Sequence, residues 1–440
     1  MLRTLIKQAA SVAGMRVFGT GLSVLVSVAI ARLYGPDALG VYAYCVTLMA
    51  IAAVPVSNGW STMLLRAVSR VHELDSEARA MACLGTRLAI VFAALAAAIA
   101  IAAVHFASSE IATALEPVAF TAIGLLFIAL VCDQISAMRM ASIRGIDRPA
   151  LAQLPESLVR PLILLTGAVM GWWAFGSSTL SSDLPILFAS LAIAAVVSAM
   201  IGQLILTRLA GRGETRRPFP AERKAWFASA AALAGSAGLV QLNGYVDMLI
   251  LGSYVAPAEV GLYRAALQIA MLASFGYIAL NMLAGQRFAK FTGSGDHESL
   301  SRTATHLARL ALLTAIPLPL ILLLAGEDIF ALLFGTAFEG AALPALLIAA
   351  GFTFSAAIGM ARTLLVMQGN EFLVMRTTFA ALVLNVVLCI LLIPRYGITG
   401  AAIANLSANV GWNMLLWALA RRSTGVDSSV FGANAGFKNG

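Results

Sequence analysis

Long apolar stretches separated by short polar ones run along the whole chain. A helix rises about 1.5 Å per residue, so about 20 apolar residues are needed to cross a hydrocarbon layer of about 30 Å. Stretches of this length recur, and they predict twelve membrane-spanning helices. Their approximate bounds are Val12–Leu33, Gly40–Leu64, Ala82–Phe106, Pro117–Met138, Leu151–Phe175, Leu184–Leu209, Trp226–Leu251, Val260–Gly285, His306–Leu324, Ala342–Leu365, Phe372–Ile393 and Ile398–Leu419.

Composition and charge agree with this pattern. Of the 440 residues, 60% are hydrophobic and 11% are charged, whereas a soluble domain has roughly 25% charged residues. Such a chain cannot cover itself with polar surface, so lipid has to be its solvent. The net charge of +8 lies in short loops between apolar runs. This placement favours membrane topology over nucleic-acid binding.

Basic residues alternate from one predicted loop to the next. Nearly all of the 29 lysines and arginines fall in one alternate set of segments, and the opposite loops hold only Arg32 and Arg395. Positive loops mark the cytoplasmic side of a membrane. Both termini are therefore predicted to be cytoplasmic.

A turn motif occurs once in each half of the chain. Gly35–Tyr42 reads Gly-Pro-Asp-Ala-Leu-Gly-Val-Tyr, and Ala256–Tyr263 reads Ala-Pro-Ala-Glu-Val-Gly-Leu-Tyr, about half a chain length later. Each half has an even number of predicted spans. The halves are therefore expected to be parallel repeats, related by an axis along the membrane normal.

These patterns together predict an all-α polytopic membrane protein. We expect twelve transmembrane helices in two parallel six-helix repeats around a central cleft, which is a transporter architecture. The predicted divisions are an N-terminal bundle at 1–209, a cytoplasmic linker at 210–225, a C-terminal bundle at 226–420 and a flexible cytoplasmic tail at 421–440.

The motifs give the chain a resemblance to a known family. The turn at Gly35–Tyr42, its degenerate copy at Ala256–Tyr263, the acidic segment Asp247–Gly252 and the turn at Pro394–Ala402 resemble the polysaccharide-biosynthesis flippases. These are the O-antigen and exopolysaccharide exporters of the multidrug/oligosaccharidyl-lipid/polysaccharide (MOP) superfamily, and the resemblance implies a MATE-like fold. It spans essentially the whole chain.

The resemblance implies a substrate and a location. The substrate would be an undecaprenyl-pyrophosphate-linked oligosaccharide, flipped from the cytoplasmic to the outer leaflet of a bacterial inner membrane. A polysaccharide polymerase and glycosyltransferases are the implied protein partners, beside membrane lipids, and the transporter is expected to be a monomer.

Other functions are weighed against this one. An ion-coupled multidrug exporter would need a cleft rich in acids, a glycan polymerase or ligase would need a large outward loop, and a peptidoglycan-precursor flippase is expected to have fourteen spans. No lysine follows a glycine, so the phosphate-binding loop of an ATPase is missing from the sequence. We predict no enzyme activity, catalytic residue, metal or cofactor. Transport is expected to be driven by a gradient of H⁺ or Na⁺ or by consumption of the substrate.

Arginines are the predicted contacts of the substrate. An ionisable side chain at bilayer depth costs about 2.5–3.5 kcal/mol on insertion scales, so it needs a function or a partner. Arg160 and Arg264 lie inside predicted spans, and Arg16 and Arg66 lie at cytoplasmic helix ends. A guanidinium can bind a diphosphate through two parallel hydrogen bonds. Alternatively, Arg160 pairs with Glu156 four residues earlier, and Arg264 extends its charge to the interface.

Acids inside the spans are the predicted ion-coupling residues. They are Asp133, Glu156 and Asp247. Structural pairing with an arginine or with Asn243 is the alternative for the two aspartates. A stripe on the last span is interpreted as interhelical packing: Asn405, Asn409 and Asn413.

Overall fold

Helices account for all of the regular secondary structure in the described part of the chain. The computed structural model describes residues 2–106, 119–176, 179–210, 220–294 and 296–432. Most of the predicted linker at 210–225 lies outside these ranges.

The chain forms two compact units. The first unit comprises Met1–Tyr245 and Val255–Gly261, and the second unit comprises Val246–Tyr254 and Leu262–Gly440. The helices before residue 245 are α1 (Leu2–Ala52), α2 (Ser61–Val71), α3 (Ser76–Phe106), α4 (Ala119–Gly145), α5 (Pro149–Leu154), α6 (Arg160–Phe175), α7 (Leu180–Ala210) and α8 (Pro220–Asn243). The later ones are α9 (Val246–Leu251), α10 (Pro257–Ala270), α11 (Phe275–Ser294), α12 (His297–Ala315), α13 (Pro317–Phe334), α14 (Ala342–Ile358), α15 (Ala361–Met367) and α16 (Glu371–Thr424).

Ten helical stretches in the described ranges are long and apolar enough to cross a membrane. The prediction of an all-helical, multi-pass membrane protein is therefore confirmed. Two of the stretches, Val17–Ala52 and Glu371–Thr424, each contain a predicted boundary between spans. The arrangement of twelve spans in two six-helix repeats stays a prediction.

The longest stretch, α16, is two helices joined by a tight turn. Its 54 residues would extend about 81 Å if straight, far more than a bilayer. Gly397 breaks the helix with φ +54°, and Gly400 lies against the carbonyl oxygen of Leu392. Residues eight apart in a straight helix are about 12 Å apart, so the chain folds back here. The turn predicted around Pro394 is confirmed.

The two copies of the turn motif contact each other within the first unit. Gly40 lies against the carbonyl oxygen of Pro257, and Gly261 lies against the carbonyl oxygen of Pro36. A side chain on either glycine would collide with that oxygen. The repeated glycines are therefore needed for reciprocal close packing of two helix starts.

Large apolar side chains are exposed on the surface, and one buried polar group, the indole N–H of Trp60, has a hydrogen-bond partner. Leu324 is 85% exposed, which suits a side chain that faces lipid. In the first unit, buried Trp60 donates from Nε1 to the carbonyl of Met81 at 2.8 Å. Its ring meets Phe227 edge-on at 5.4 Å.

The segment 425–432, which falls in the predicted tail, packs against the end of α14. Val430 donates its backbone N–H to the carbonyl of Ala357 at 3.0 Å, and the hydroxyl of Ser428 donates to the carbonyl of Ile358 at 3.0 Å. These carbonyls are among the last four of α14, which have no partner within the helix. The segment therefore caps α14.

Candidate functional site

An ion pair lies inside the membrane-spanning part of the first unit. The guanidinium of Arg160, at the start of α6, lies 2.8 Å from the carboxylate of Asp133 on α4. The two side chains are 21% and 20% exposed. Tyr42, from the first turn motif, lies within electrostatic range of Arg160. Arg160, which was predicted to contact the substrate, and Asp133, which was predicted to bind the coupling ion, thus form one site.

A widened helical turn directly precedes Arg160. Residues Pro155–Val159 form a π-helical segment between α5 and α6. Pro161 has no N–H to donate to the preceding turn, and the hydroxyl of Ser198 donates to the carbonyl of Pro155 at 3.2 Å. The same carbonyl also accepts the backbone N–H of Arg160, so the widened turn is hydrogen-bonded to both α6 and α7. Such segments occur frequently at functional sites.

Glu156 is not the direct partner of Arg160. Its side chain is exposed, and its charge interacts with Asp133 and Arg160 over a distance. It forms no ion pair with Arg160 among the described residues. The expected pairing four residues apart assumes regular α-helical spacing. The π segment changes that spacing, and Asp133 on another helix takes the position instead.

A second polar cluster surrounds Asp247 in the second unit. Asp247 is fully buried. Its Oδ2 accepts hydrogen bonds from the Tyr263 hydroxyl at 2.6 Å and from Nδ2 of Asn405 at 2.9 Å. Its Oδ1 accepts from the backbone N–H of Met248 at 2.8 Å. All three donors are neutral, and none of the ion pairs among the described residues includes Asp247.

The chain path explains why Asp247 bonds across helices. Its helix, α9, begins after a turn at Gly244 and Tyr245, so the α-helical spacing from Asn243 is interrupted. Tyr263 comes from the second turn motif on α10, and Asn405 comes from α16. Sequence reasoning noted both residues but did not connect them with Asp247. The repetition of the tyrosine in both copies of the turn motif was the one signal in the sequence that Tyr263 has a specific partner.

Two of the other predicted arginines, Arg66 and Arg264, have described side chains. Arg66 is exposed on α2, and Arg264 is partly buried on α10. Neither takes part in an ion pair among the described residues. The backbone of Arg16 lies in α1, but its side chain is outside the described residues. A role in substrate binding stays a prediction for all three.

Two members of the asparagine stripe bind between helices, as predicted. Nδ2 of Asn413 donates to the hydroxyl of Ser355 on α14 at 2.9 Å and to Oδ1 of Asn409 at 2.6 Å. The Ser355 hydroxyl in turn donates to Oδ1 of Asn409 at 2.7 Å. Asn405 differs from them, because it binds the buried carboxylate of Asp247.

The two clusters offer different chemistry. The Asp133–Arg160 site is neutral as a pair, and a stronger anion can compete with Asp133 for the guanidinium. The Asp247 site is a buried carboxylate with neutral donors only. A buried charge without a counter-charge is costly, so uptake of a proton or a small cation would stabilise it.

Solved structures share this fold. An inward-facing multidrug resistance MATE family transporter of the MOP superfamily has a TM-score of 0.72 at 13% identity, over 94% of this chain and 97% of the other. The lipid II flippase MurJ, in an inward closed conformation, has a TM-score of 0.73 at 12% identity, over 94% and 87%. A MOP superfamily transporter from Pyrococcus furiosus, described as having a binding pocket of reverse polarity, has a TM-score of 0.63 at 15% identity, over 94% and 95%.

The chain thus shares its fold with solved transporters of the MOP superfamily. The sequence model of the polysaccharide biosynthesis protein family matches residues 5–284, which is more than half of the chain. The protein therefore belongs to the polysaccharide biosynthesis protein family, and the resemblance noted from the sequence is confirmed. No curated protein sequence shows significant similarity to the chain.

Proposed function

We propose that the protein flips an undecaprenyl-pyrophosphate-linked oligosaccharide from the cytoplasmic to the outer leaflet of a bacterial inner membrane. The product would be used for O-antigen, capsule or exopolysaccharide synthesis. Membership of the polysaccharide biosynthesis family supports this substrate class. The observation that carries the proposal is the guanidinium of Arg160, held in a membrane-spanning stretch 2.8 Å from Asp133.

Substrate binding would exchange one anion for another at Arg160. A diphosphate offers more oxygen acceptors and more charge than a carboxylate, and arginine binds phosphates with two parallel hydrogen bonds. When the diphosphate takes the guanidinium, Asp133 loses its counter-charge and becomes a site for a proton or a cation. Binding of substrate and binding of the coupling ion are thereby linked in the first unit.

Asp247 is proposed as a second coupling site. It lies on a different unit from Arg160, and its three hydrogen-bond donors fix both carboxylate oxygens. Binding of H⁺ or Na⁺ would neutralise the buried charge and favour one conformation of the transporter. Glu156 would contribute to the field at the first site. Arg16, Arg66 and Arg264 are proposed as further contacts along the substrate path.

The proposed setting follows from the charge pattern and from the chemistry of the substrate. Basic loops on one side support cytoplasmic termini, and alternating access would expose the substrate site to each face in turn. Glycosyltransferases would supply the lipid-linked oligosaccharide, and a polymerase would consume it after flipping. The transporter is proposed to work as a monomer.

The proposal is tested with the purified full chain in proteoliposomes that contain a fluorescent polyprenyl-diphosphate oligosaccharide. Bleaching by a membrane-impermeant reductant reports the leaflet of the fluorophore. We expect transfer by the wild-type protein, a loss of at least about tenfold in Arg160→Ala, and partial activity in Arg160→Lys, which keeps the charge but loses the planar fork. Arg376→Ala is the matched control, because Arg376 is exposed and lies over the ring of Phe372 at 5.9 Å.

Each outcome has a separate meaning. If the wild-type protein transfers no lipid, the proposed function is wrong. If Arg160→Ala transfers lipid at the wild-type rate, the role of Arg160 is wrong, although the function stands. If Arg376→Ala is as impaired as Arg160→Ala, the effect is one of general charge.

One observation favours a second candidate, the ion-coupled export of cationic drugs. The uncompensated carboxylate of Asp247 is the kind of group that would bind an organic cation. Efflux of a cationic dye from cells that express the protein tests this alternative. Efflux that depends on Asp247, without any flipping in proteoliposomes, would favour the exporter.

A further inference from the structure

A group of hydrogen-bond donors lies together in the second unit, apart from the Asp247 cluster. We call this group the donor cluster. Its members are Tyr277 and Asn281 on α11 and Arg362 on α15. Tyr277 and Asn281 are one turn apart and share a face of α11. Arg362 lies within electrostatic range of Tyr277.

A direct hydrogen bond fixes the two helices beside each other. The hydroxyl of Thr363, next to Arg362, donates to Oδ1 of Asn281 at 2.7 Å. One turn further along α11, Gly285 faces the methyl group of Thr363, and an added Cβ would lie 3.9 Å from it. That distance is an ordinary van der Waals contact, so α11 and α15 lie side by side here. The position of Arg362 is thus set by the contacts that its neighbour Thr363 makes with α11.

The donors of the cluster have no acceptor partner among the described residues, since Oδ1 of Asn281 is already bound by Thr363. Among the described residues, no hydrogen bond is made by the Tyr277 hydroxyl or by the amide nitrogen of Asn281. None of the ion pairs there includes Arg362. Arg362 is exposed, whereas Tyr277 and Asn281 are partly buried. A permanent positive charge beside two neutral donors is the arrangement that binds an anion.

The backbone around Arg362 is a built feature of the fold. The helical path is broken between α14 and α15 at Gly359, which has φ +78°. Gly359 lies directly against the carbonyl oxygen of Ser428, in the segment that caps α14. Discontinuous helices in transporters are the places where substrate and ion sites form. Arg362 follows such a break by one turn.

We propose that the donor cluster binds the diphosphate group of the lipid-linked substrate in the second unit. This inference rests on the proposed function and deepens it, because it adds a diphosphate site outside the first unit. Arg362 would supply the charge and the forked donors. Tyr277 and Asn281 would each donate to a further phosphate oxygen.

The sequence alone favoured a different interpretation of Arg362. It belongs to the alternate set of basic residues that indicates cytoplasmic loops, and a topological role requires no particular neighbours. An arginine that serves only to set the membrane topology would not be expected to lie beside two unpaired hydrogen-bond donors on a packed helix. The neighbours therefore distinguish the two interpretations.

The test measures binding of inorganic pyrophosphate to the full chain in phosphatidylcholine nanodiscs. Affinity is read from the shift in unfolding temperature across a titration, at constant ionic strength so that screening does not vary. The measurements are made in the Arg160→Ala background, which removes the diphosphate contact proposed for the first unit. There we expect affinity to fall at least about tenfold in Arg362→Ala and less in Arg362→Lys. Tyr277→Phe and Asn281→Ala should each weaken binding severalfold. Arg376→Ala, which removes an exposed arginine outside the cluster, should bind like the Arg160→Ala protein.

A second arm separates the substrate from a lipid headgroup, which also carries phosphate. The titration is repeated in discs that contain phosphatidylglycerol. If this lipid lowers the pyrophosphate affinity of the Arg160→Ala protein to that of Arg362→Ala in the same background, the cluster holds a lipid phosphate, and the assignment to the substrate is overturned. Unchanged pyrophosphate affinity in Arg362→Ala, with the variant still folded by size-exclusion chromatography, also overturns it.

Failure of the proposed function would look different. In that case the wild-type protein would transfer no lipid in proteoliposomes, while Arg362-dependent binding of pyrophosphate could still be measured. Conversely, normal flipping with no Arg362-dependent binding would reject the donor cluster and leave the function in place.

Discussion

The hydroxyl of Tyr263 donates a 2.6 Å hydrogen bond to the carboxylate of Asp247. The tyrosine belongs to the repeated turn motif, and the acid lies on a neighbouring helix of the same unit. Both side chains are fully buried. The last residue of the repeated motif therefore fixes the position of a buried acid, and in the first unit its counterpart Tyr42 lies near Arg160.

Replacement of Asp247 by Asn should uncouple transport from the ion gradient. The amide keeps the size of the side chain and an oxygen acceptor for Tyr263, but it cannot gain charge by losing a proton or bind a cation strongly. We expect a folded protein whose flipping rate no longer responds to an imposed H⁺ or Na⁺ gradient. Asp328→Asn, at an exposed acid of α13, is the control. A normal gradient response in Asp247→Asn would remove it from the coupling mechanism.

Loss of one partner of the Asp133–Arg160 pair should destabilise the protein more than loss of both charges. A single replacement leaves an uncompensated charge, which costs about 3–5 kcal/mol in buried pairs. Partial exposure of this pair should reduce that cost. We expect Arg160→Gln to lower the unfolding temperature and the double variant Asp133→Asn/Arg160→Gln to recover most of it, without recovering flipping. Equal unfolding temperatures for the single and double variants would contradict direct pairing.

Alanine at Gly40 or Gly261 should weaken the packing of the two helix starts. The added Cβ would collide with the carbonyl of Pro257 or Pro36, and overpacking typically costs about 1–3 kcal/mol. Gly21→Ala is the matched control, because nothing lies within 4 Å of a Cβ at Gly21 in α1. Thermal unfolding of the three variants in one detergent checks the prediction. A loss in Gly21→Ala equal to that in Gly40→Ala would point to a general effect of glycine replacement.

The capping segment should loosen in acid through Asp427. Burial opposes ionisation of Asp427, but hydrogen bonds from Nε1 of Trp417 and from Ser429, together with the charge of Arg421, lower the pKa of this carboxyl below its ordinary value. Because the pKa of Asp427 is lower in the folded state, the ionised carboxyl stabilises the segment at pH values above the unfolded-state pKa of about 3.9. This stabilisation is lost as the pH falls through the folded-state pKa. The protection of the amides of residues 425–432 against hydrogen exchange, relative to the intrinsic exchange rate at each pH, should therefore fall below about pH 4.

The variant Asp427→Asn checks the origin of this pH dependence. It should exchange faster than the wild-type protein at neutral pH, and the two proteins should converge in acid. A difference that persists unchanged at low pH would show that Asp427 is not the titrating group.

The turns and the membrane class of the fold could be predicted from sequence because they depend on local rules. Apolar length predicts spans, and the breaks at Gly35 and Gly397 lie where the sequence placed turns. The alternative in which Arg160 pairs with Glu156 was wrong for a local reason, since a π segment disturbs the spacing between them, whereas the alternative that Asp133 pairs with an arginine agrees with the structure. Nothing in one sequence reveals such a segment directly.

Contacts between distant residues were beyond sequence reasoning. Asn405 lies 158 residues from Asp247 in the chain, and a regular asparagine stripe suggested packing for all of its members. Arg362 was counted as a topological charge, because its neighbours Tyr277 and Asn281 are brought to it only by packing of α15 on α11. Spacing in sequence cannot show which helices become neighbours.

The capping of α14 by residues 425–432 has a practical consequence for fusion proteins. A reporter or affinity tag joined directly after Thr424 would remove the donors that Ser428 and Val430 supply to the carbonyls of Ile358 and Ala357. Those carbonyl oxygens would then need water as a partner, and the entry of water would disturb helix packing close to the break at Gly359. Fusions should therefore keep the chain at least to Gly432, so that the attached domain reports on an intact helix end.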